Sequence, residues 1–94
     1  DKLDTIARAY GKMNSAQKVT LENINMMIDA GFNPLQEISE KTGESMQSLY
    51  DRISKGKMSV DEITESMKRS TSEGGKYFSQ WMHSLRLWMV DFQH

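Results

Sequence analysis

A repeated rhythm of glycine, capping residue and short amphipathic stretch constrains this chain more than any other feature. It occurs at Gly31-Phe32-Asn33-Pro34-Leu35, at Gly43-Glu44-Ser45-Met46 and at Gly56-Lys57-Met58-Ser59-Val60. Glycine ends a helix by taking the left-handed conformation, and Asn or Ser accepts the free amides that open the next one. The pattern predicts short helices that turn sharply into one another.

Apolar spacing fills in the segments. A first helix is expected from Leu3 to about Met13, with Leu3, Ile6, Ala7 and Tyr10 on one face, Gly11 near its end and a polar linker over residues 14–17. Thr20 precedes a stripe of Leu21, Ile24, Met27 and Ile28 that stops at Gly31. Asn33 then caps a helix that starts on Pro34, where the missing N–H costs nothing, and Gln36 stands where it closes a capping box with Asn33. Leu35 and Ile38 form its buried face before Gly43. Ser45 opens a fourth helix with Met46, Leu49, Tyr50 and Ile53 inward and Gly56 beyond its end.

Ser59 and Glu62 make the clearest capping-box pattern, followed by inward Val60, Ile63 and Met67. Residues 70–75 break the rhythm, and the adjacent Gly74 and Gly75 predict a turn or hinge. A last helix is expected from about Lys76 to Asp91, with Phe78, Trp81, Met82, Leu85, Trp88, Met89 and Phe92 on a broad apolar face. The expected organisation is a compact multi-helix module over residues 1–73, then a Gly-Gly hinge and an aromatic-rich helix over residues 74–94. No hairpin signal separates two alternating runs, so the expected fold is all-α, a compact bundle of five to six short helices.

An internal echo accompanies the rhythm. Lys18-Val19-Thr20-Leu21-Glu22-Asn23-Ile24 matches Lys57-Met58-Ser59-Val60-Asp61-Glu62-Ile63 in residue type at every position. Each reads as a loop lysine, an apolar residue that staples the helix start, a cap, an apolar residue, two polar residues and Ile. A true repeat and chance convergence of two capped helices both produce this match.

Composition narrows the function classes. The 94 residues carry 12 basic and 13 acidic side chains, a net charge of −1 that supplies no global field for a phosphate backbone. Cysteine is absent, which excludes disulfides, thiol catalysis and thiolate metal sites. The chain contains no apolar run long enough for a membrane span, and its start at Asp1 predicts a processed product or an excised domain. Eight methionines read first as adaptable core filler, with a Met-rich peptide groove as the alternative.

Catalytic constellations are thin. His83 and His94 have no histidine or carboxylate cluster at ligand spacing, so neither a metal site nor a cofactor is expected. Glu37 and Glu40, and Asp61, Glu62 and Glu65, fall in early helical turns, where carboxylates favour the helix dipole. Gly74-Gly75-Lys76 lacks phosphate-loop spacing, and Tyr77 stands where the hydroxyl ligand belongs. No enzymatic activity is expected.

Two binding readings compete. Residues 35–57 resemble a helix-turn-helix of the phage-repressor type, in which Gln47, Ser48, Asp51 and Arg52 face bases while Lys55 and Lys57 touch phosphates. Glu37, Glu40 and Asp51 weigh against it. The terminal aromatics Phe78, Trp81, Trp88 and Phe92 either pack on the preceding helices or form a protein-contact surface.

Four blocks, in their order and spacing, carry a family resemblance. Lys18 to Pro34 is a lysine-led capped helix ending in Gly, and Thr42-Gly43-Glu44-Ser45 supplies a Thr-Gly step. Ile53 to Ile63 contains the Lys-Gly-Lys loop before Ser59, and Thr71 to Phe78 contains Glu-Gly-Gly-Lys-Tyr-Phe. Together they resemble the small helical domain of tail tape measure proteins from long-tailed phages and prophages. The resemblance implies a segment of a much longer helical virion protein that occupies the tail lumen and templates tube length during assembly. It also implies location in the tail lumen, or in the host cytoplasm during assembly. The implied partners are other segments of the parent protein and tail tube or tail assembly proteins, with self-association as a further contact. Beyond Phe78 the chain departs from the family's small-residue helix, with Trp81 to Phe92 in its place, which puts the natural role of that end in doubt.

Overall fold

In the computed structural model, residues 2–74 are described, with side chains to residue 70. They form five α-helices: α1 (Lys2–Ala16), α2 (Leu21–Asp29), α3 (Pro34–Thr42), α4 (Met46–Ser54) and α5 (Val60–Gly74). Strands are absent among the described residues, and the fold is a compact all-α bundle with short loops. No helix among them is long and apolar enough to cross a membrane.

Each connection, three to five residues long, is set by local chemistry. Three turns share one geometry, in which a residue two or three positions past the helix donates its N–H five positions back. Lys18 N–H reaches Met13 O at 3.1 Å, Phe32 N–H reaches Met27 O at 2.9 Å and Lys57 N–H reaches Arg52 O at 2.7 Å. The residue before each donor has positive φ: Gln17 at 53°, Gly31 at 106° and Gly56 at 71°. The fourth turn is tighter. Gly43, at φ 82°, donates to Ser39 O at 2.9 Å. Caps follow at once: Thr20 accepts the Asn23 N–H, Asn33 those of Leu35 and Gln36, and Ser45 that of Ser48.

One apolar core joins all five helices. Met13, Ile24, Met27, Leu35, Leu49, Ile63 and Met67 are fully buried, with Ile6, Ala9, Tyr10, Val19, Ile38, Ile53, Met58 and Val60 closely covered around them. At roughly 25 cal/mol per Å² of apolar surface removed from water, each large buried side chain contributes about 1.5–3 kcal/mol. α1 packs mainly on α2, α3 packs on both α5 and α4, and α2 touches α3 and α4. The Tyr10 and Thr64 hydroxyls meet at 2.5 Å and join α1 to α5.

Several sequence expectations change. α1 runs one turn past Met13, so Asn14, Ser15 and Ala16 are helical and Gly11 is a buried interior residue. The longer helix brings Met13 into the core, and its carbonyl then closes the turn at Lys18. Ala9 and Met13, not Leu3 and Ala7, are the fully covered positions of α1. Tyr50 is 37% exposed, because α4 turns Leu49 and Ile53 inward. Gln36 does not close its capping box; its amide donates to Glu40 Oε1 at 3.4 Å. α5 continues through Ser70 to Gly74, where a break had been expected from Ser70. Ser, Thr and Glu cost little in a helix that already has a hydrogen-bonded turn to extend. Gly75 and the expected terminal helix lie outside the described residues.

Candidate functional site

The charged groups that the fold brings together lie along α5 and the helices beside it. Glu62, Ser66 and Arg69 are spaced i, i+4, i+7 and therefore share one face of α5. Each bonds to a different neighbour. Arg69 donates from Nε to Glu37 Oε2 at 2.7 Å and from Nη2 to Glu37 Oε1 at 2.8 Å, a two-pronged pair between α5 and α3. Ser66 is fully buried and its hydroxyl donates to Pro34 O at 3.3 Å. Glu62 accepts Arg52 of α4, from Nη1 at 3.0 Å and from Nη2 at 2.7 Å.

Arg52 is shared. Its Nε and Nη2 also donate to the Glu44 carboxylate at 2.9 and 3.0 Å, and Nη1 lies 3.4 Å from Lys57 O. Five N–H donors on a planar fork let one arginine make two bonds to each carboxylate, four in all, more than the three donors of a lysine supply. The neighbours are fixed in turn. Glu44 accepts the Ser48 hydroxyl at 2.7 Å, and Glu62 accepts the Ser59 backbone N–H at 2.9 Å.

The electrostatics follow from these contacts. Hydrogen bonds from Arg69 hold the Glu37 carboxyl below its ordinary value against the opposing effect of burial, with help from Ser66. Arg52, then Ser48, lowers Glu44. Arg52 lowers Glu62 against burial, and the Ser59 N–H adds to the effect. Reciprocally, Glu62 and then Glu44 raise Arg52, and Glu37 raises Arg69. Arg52 is 27% exposed, so water screens the pairs and each contributes modestly to stability. They tie α5 to α3 through Arg69 and to α4 through Arg52.

The structure separates the residues of the helix-turn-helix reading. α3, the Gly43 turn and α4 do form two helices in the required order. Arg52 and Ser48 are turned to Glu44, and Asp51 pairs with Lys55 at 3.0 Å, while Gln47 is exposed. Glu40 receives Gln36, and Glu65 pairs loosely with Lys68 at 3.6 Å on the surface. Asp61, Glu62 and Glu65 line an open groove of about 270 Å³ with Ile38, Thr42 and Arg69. Among the described residues no group of three His, Cys, Asp or Glu side chains is placed to hold a metal. His83, His94, Lys76 and the aromatic set Phe78, Trp81, Trp88 and Phe92 lie outside the described residues.

The Arg52 junction escaped the sequence reading because its members are eight and ten positions apart, spacings that no single helix brings together. The α5 seam left a trace. Ser66 and Arg69 follow Glu62 at helical spacing, one position ahead of the apolar stripe of Ile63 and Met67. No protein-family model, curated protein or solved structure matches this chain.

Proposed function

We propose that this chain is a structural module of a tape-measure-like tail protein, contributing to tail assembly and length determination through protein contacts. The observation that supports it is the internal use of charge. Arg52 and Arg69 both spend their guanidinium donors on carboxylates of the same small bundle. Such pairs tie one helix to another within the bundle rather than to an outside partner, which suits a segment whose role is structural. The order of the Gly-capped blocks supplies the family side of the reading. Its partners are then other segments of the parent protein and tail tube or assembly proteins, in the tail lumen or in the host cytoplasm during assembly.

Duplex DNA is the competing partner. A base-reading Arg52 would have to leave two carboxylates, and the cost of parting charge-assisted pairs opposes it. In-frame deletion of these residues from the parent gene, followed by electron microscopy of tails, tests the proposal. Absent, shortened or irregular tails are expected, and normal tails of unchanged length overturn it. Duplex binding by the purified chain at low salt, steeply weakened by added salt and abolished by removing the charges of Arg52, Lys55 and Lys57, would instead favour the repressor-like reading.

A further inference from the structure

The fold brings the two lysine-led turns of the internal echo to one groove. This open groove of about 410 Å³ runs between the start of α2 and the end of α4, with Val19 and Leu21 on one side, Ile53 and Gly56 on the other, and Lys18 and Lys55 among its lining residues. Val19 and Ile53 are buried and Leu21 is half-buried, so the floor is apolar, while both lysines are exposed and form the rim. Lys57, next to Gly56 in the chain, is exposed as well. Neither Lys18 nor Lys57 has an ion-pair partner among the described residues, and Lys55 shares its charge with Asp51 at 3.0 Å. Thr20 caps α2 here, so the positive charge comes from side chains rather than from a bare helix end. The three lysines outnumber Asp51 and the exposed Glu22, which leaves this end of the bundle positive on a chain of net charge −1.

We propose that this groove docks an acidic peptide segment of a partner protein, with an apolar side chain resting on Leu21 and Ile53 and flanking carboxylates meeting Lys18, Lys55 and Lys57. The apolar floor supplies burial, and the cationic rim selects the sign of what enters. An open groove suits a segment that crosses it rather than a small molecule, which needs enclosure on most sides. The chain's own residues 75–94 are the wrong complement, because they carry Lys76 and Arg86 against Asp91. A phosphate backbone fits less well than a peptide. It makes no use of an apolar floor, Asp51 stands beside Lys55, and Arg52 is spent on Glu44 and Glu62. The inference concerns the chemistry of this groove and holds whatever the parent protein is.

Amide NMR titration of the whole 94-residue chain tests it. The probe is the synthetic peptide acetyl-Glu-Asp-Glu-Leu-Phe-Glu-Asp-Glu-amide. Saturable shifts are expected at the amides from Lys18 to Leu21 and from Ile53 to Gly56, with half-saturation below about 1 mM. The same peptide with Ser-Ser in place of Leu-Phe should bind at least about fivefold more weakly, since it leaves the floor uncovered. The Lys18→Gln/Lys55→Gln variant changes two exposed side chains, keeps the fold, and should weaken the original peptide about tenfold. Four results would overturn the proposal. One is no saturation at those amides, and another is equal binding of the Ser-Ser peptide, which would mark a charged patch only. A short DNA duplex that saturates the same amides more tightly than the peptide would make the groove a nucleic-acid surface. Shifts of these amides with protein concentration alone would assign it to a second copy of the chain.

Discussion

The two turns that carry the internal echo are the same backbone device put to different uses. Both end a helix with a hydrogen bond that reaches five positions back, Lys18 to Met13 and Lys57 to Arg52, and both pass through one residue of positive φ. Val19 and Met58 are buried beside them, and Ile24 and Ile63 are fully buried five positions later. The difference lies in the third residue after the cap. Asn23 keeps to its own turn, with Nδ2 donating to Thr20 Oγ1 at 2.9 Å. Glu62 accepts its own turn's Ser59 N–H and also reaches Arg52. A local motif therefore dictates where the chain turns, while one longer, charged side chain in the same slot decides that a neighbouring helix is engaged.

Four experiments would break or sharpen that comparison. The largest effect is expected at its shared apolar anchors. Ile24→Ala and Ile63→Ala should each cost about 3 kcal/mol in urea unfolding, since both side chains are fully covered. A loss below about 1 kcal/mol at only one of them would mean the two anchors are not equivalent.

Next come the positive-φ residues. Gly56→Ala should cost about 1 kcal/mol, because a Cβ there meets open space and only the backbone conformation is penalised. Gln17→Gly should stabilise by about 0.5 kcal/mol, its relief of a side chain at φ 53° partly offset by the lost bond from Gln17 Nε2 to Asn14 O. Thermal midpoints moving in the same direction for both variants would deny that the turns are alike.

The caps should differ more subtly. Thr20→Ala removes the acceptor for the Asn23 amide and should cost about 1 kcal/mol. Ser59→Ala should cost only a few tenths of a kcal/mol, because the Glu62 carboxylate bonds the Ser59 backbone N–H, which alanine keeps. Denaturant midpoints measured side by side decide the order. The smallest change is Asn23→Glu, which completes a capping box at α2 and should shift stability by about 0.5 kcal/mol or less. A larger gain would show that a glutamate in this slot stabilises without a specific arginine facing it.

The five described helices and most of their turn positions were legible because they depend on neighbours in the chain. Gly31, Gly43 and Gly56 take the left-handed conformation, and Asn33 and Ser45 accept amides two or three residues on. The polar stretch after Met13 misled because Gln17, without the usual glycine, adopts the turning conformation and lets α1 run on. Tyr50 misled for another reason: its position on the apolar stripe is correct for a helix, but α4 is covered only where Leu49 and Ile53 meet the core.

From its residues alone, the chain determined its helical class, its turns and the greater part of its buried set, because capping, backbone conformation and apolar periodicity act over four residues or fewer. Tertiary structure alone decided that Arg52 serves Glu44 and Glu62, that Arg69 finds Glu37 and that Ser66 is buried against Pro34. Those partners sit 8 to 32 positions apart, and a charge pairs with whichever opposite charge the packed core leaves within reach.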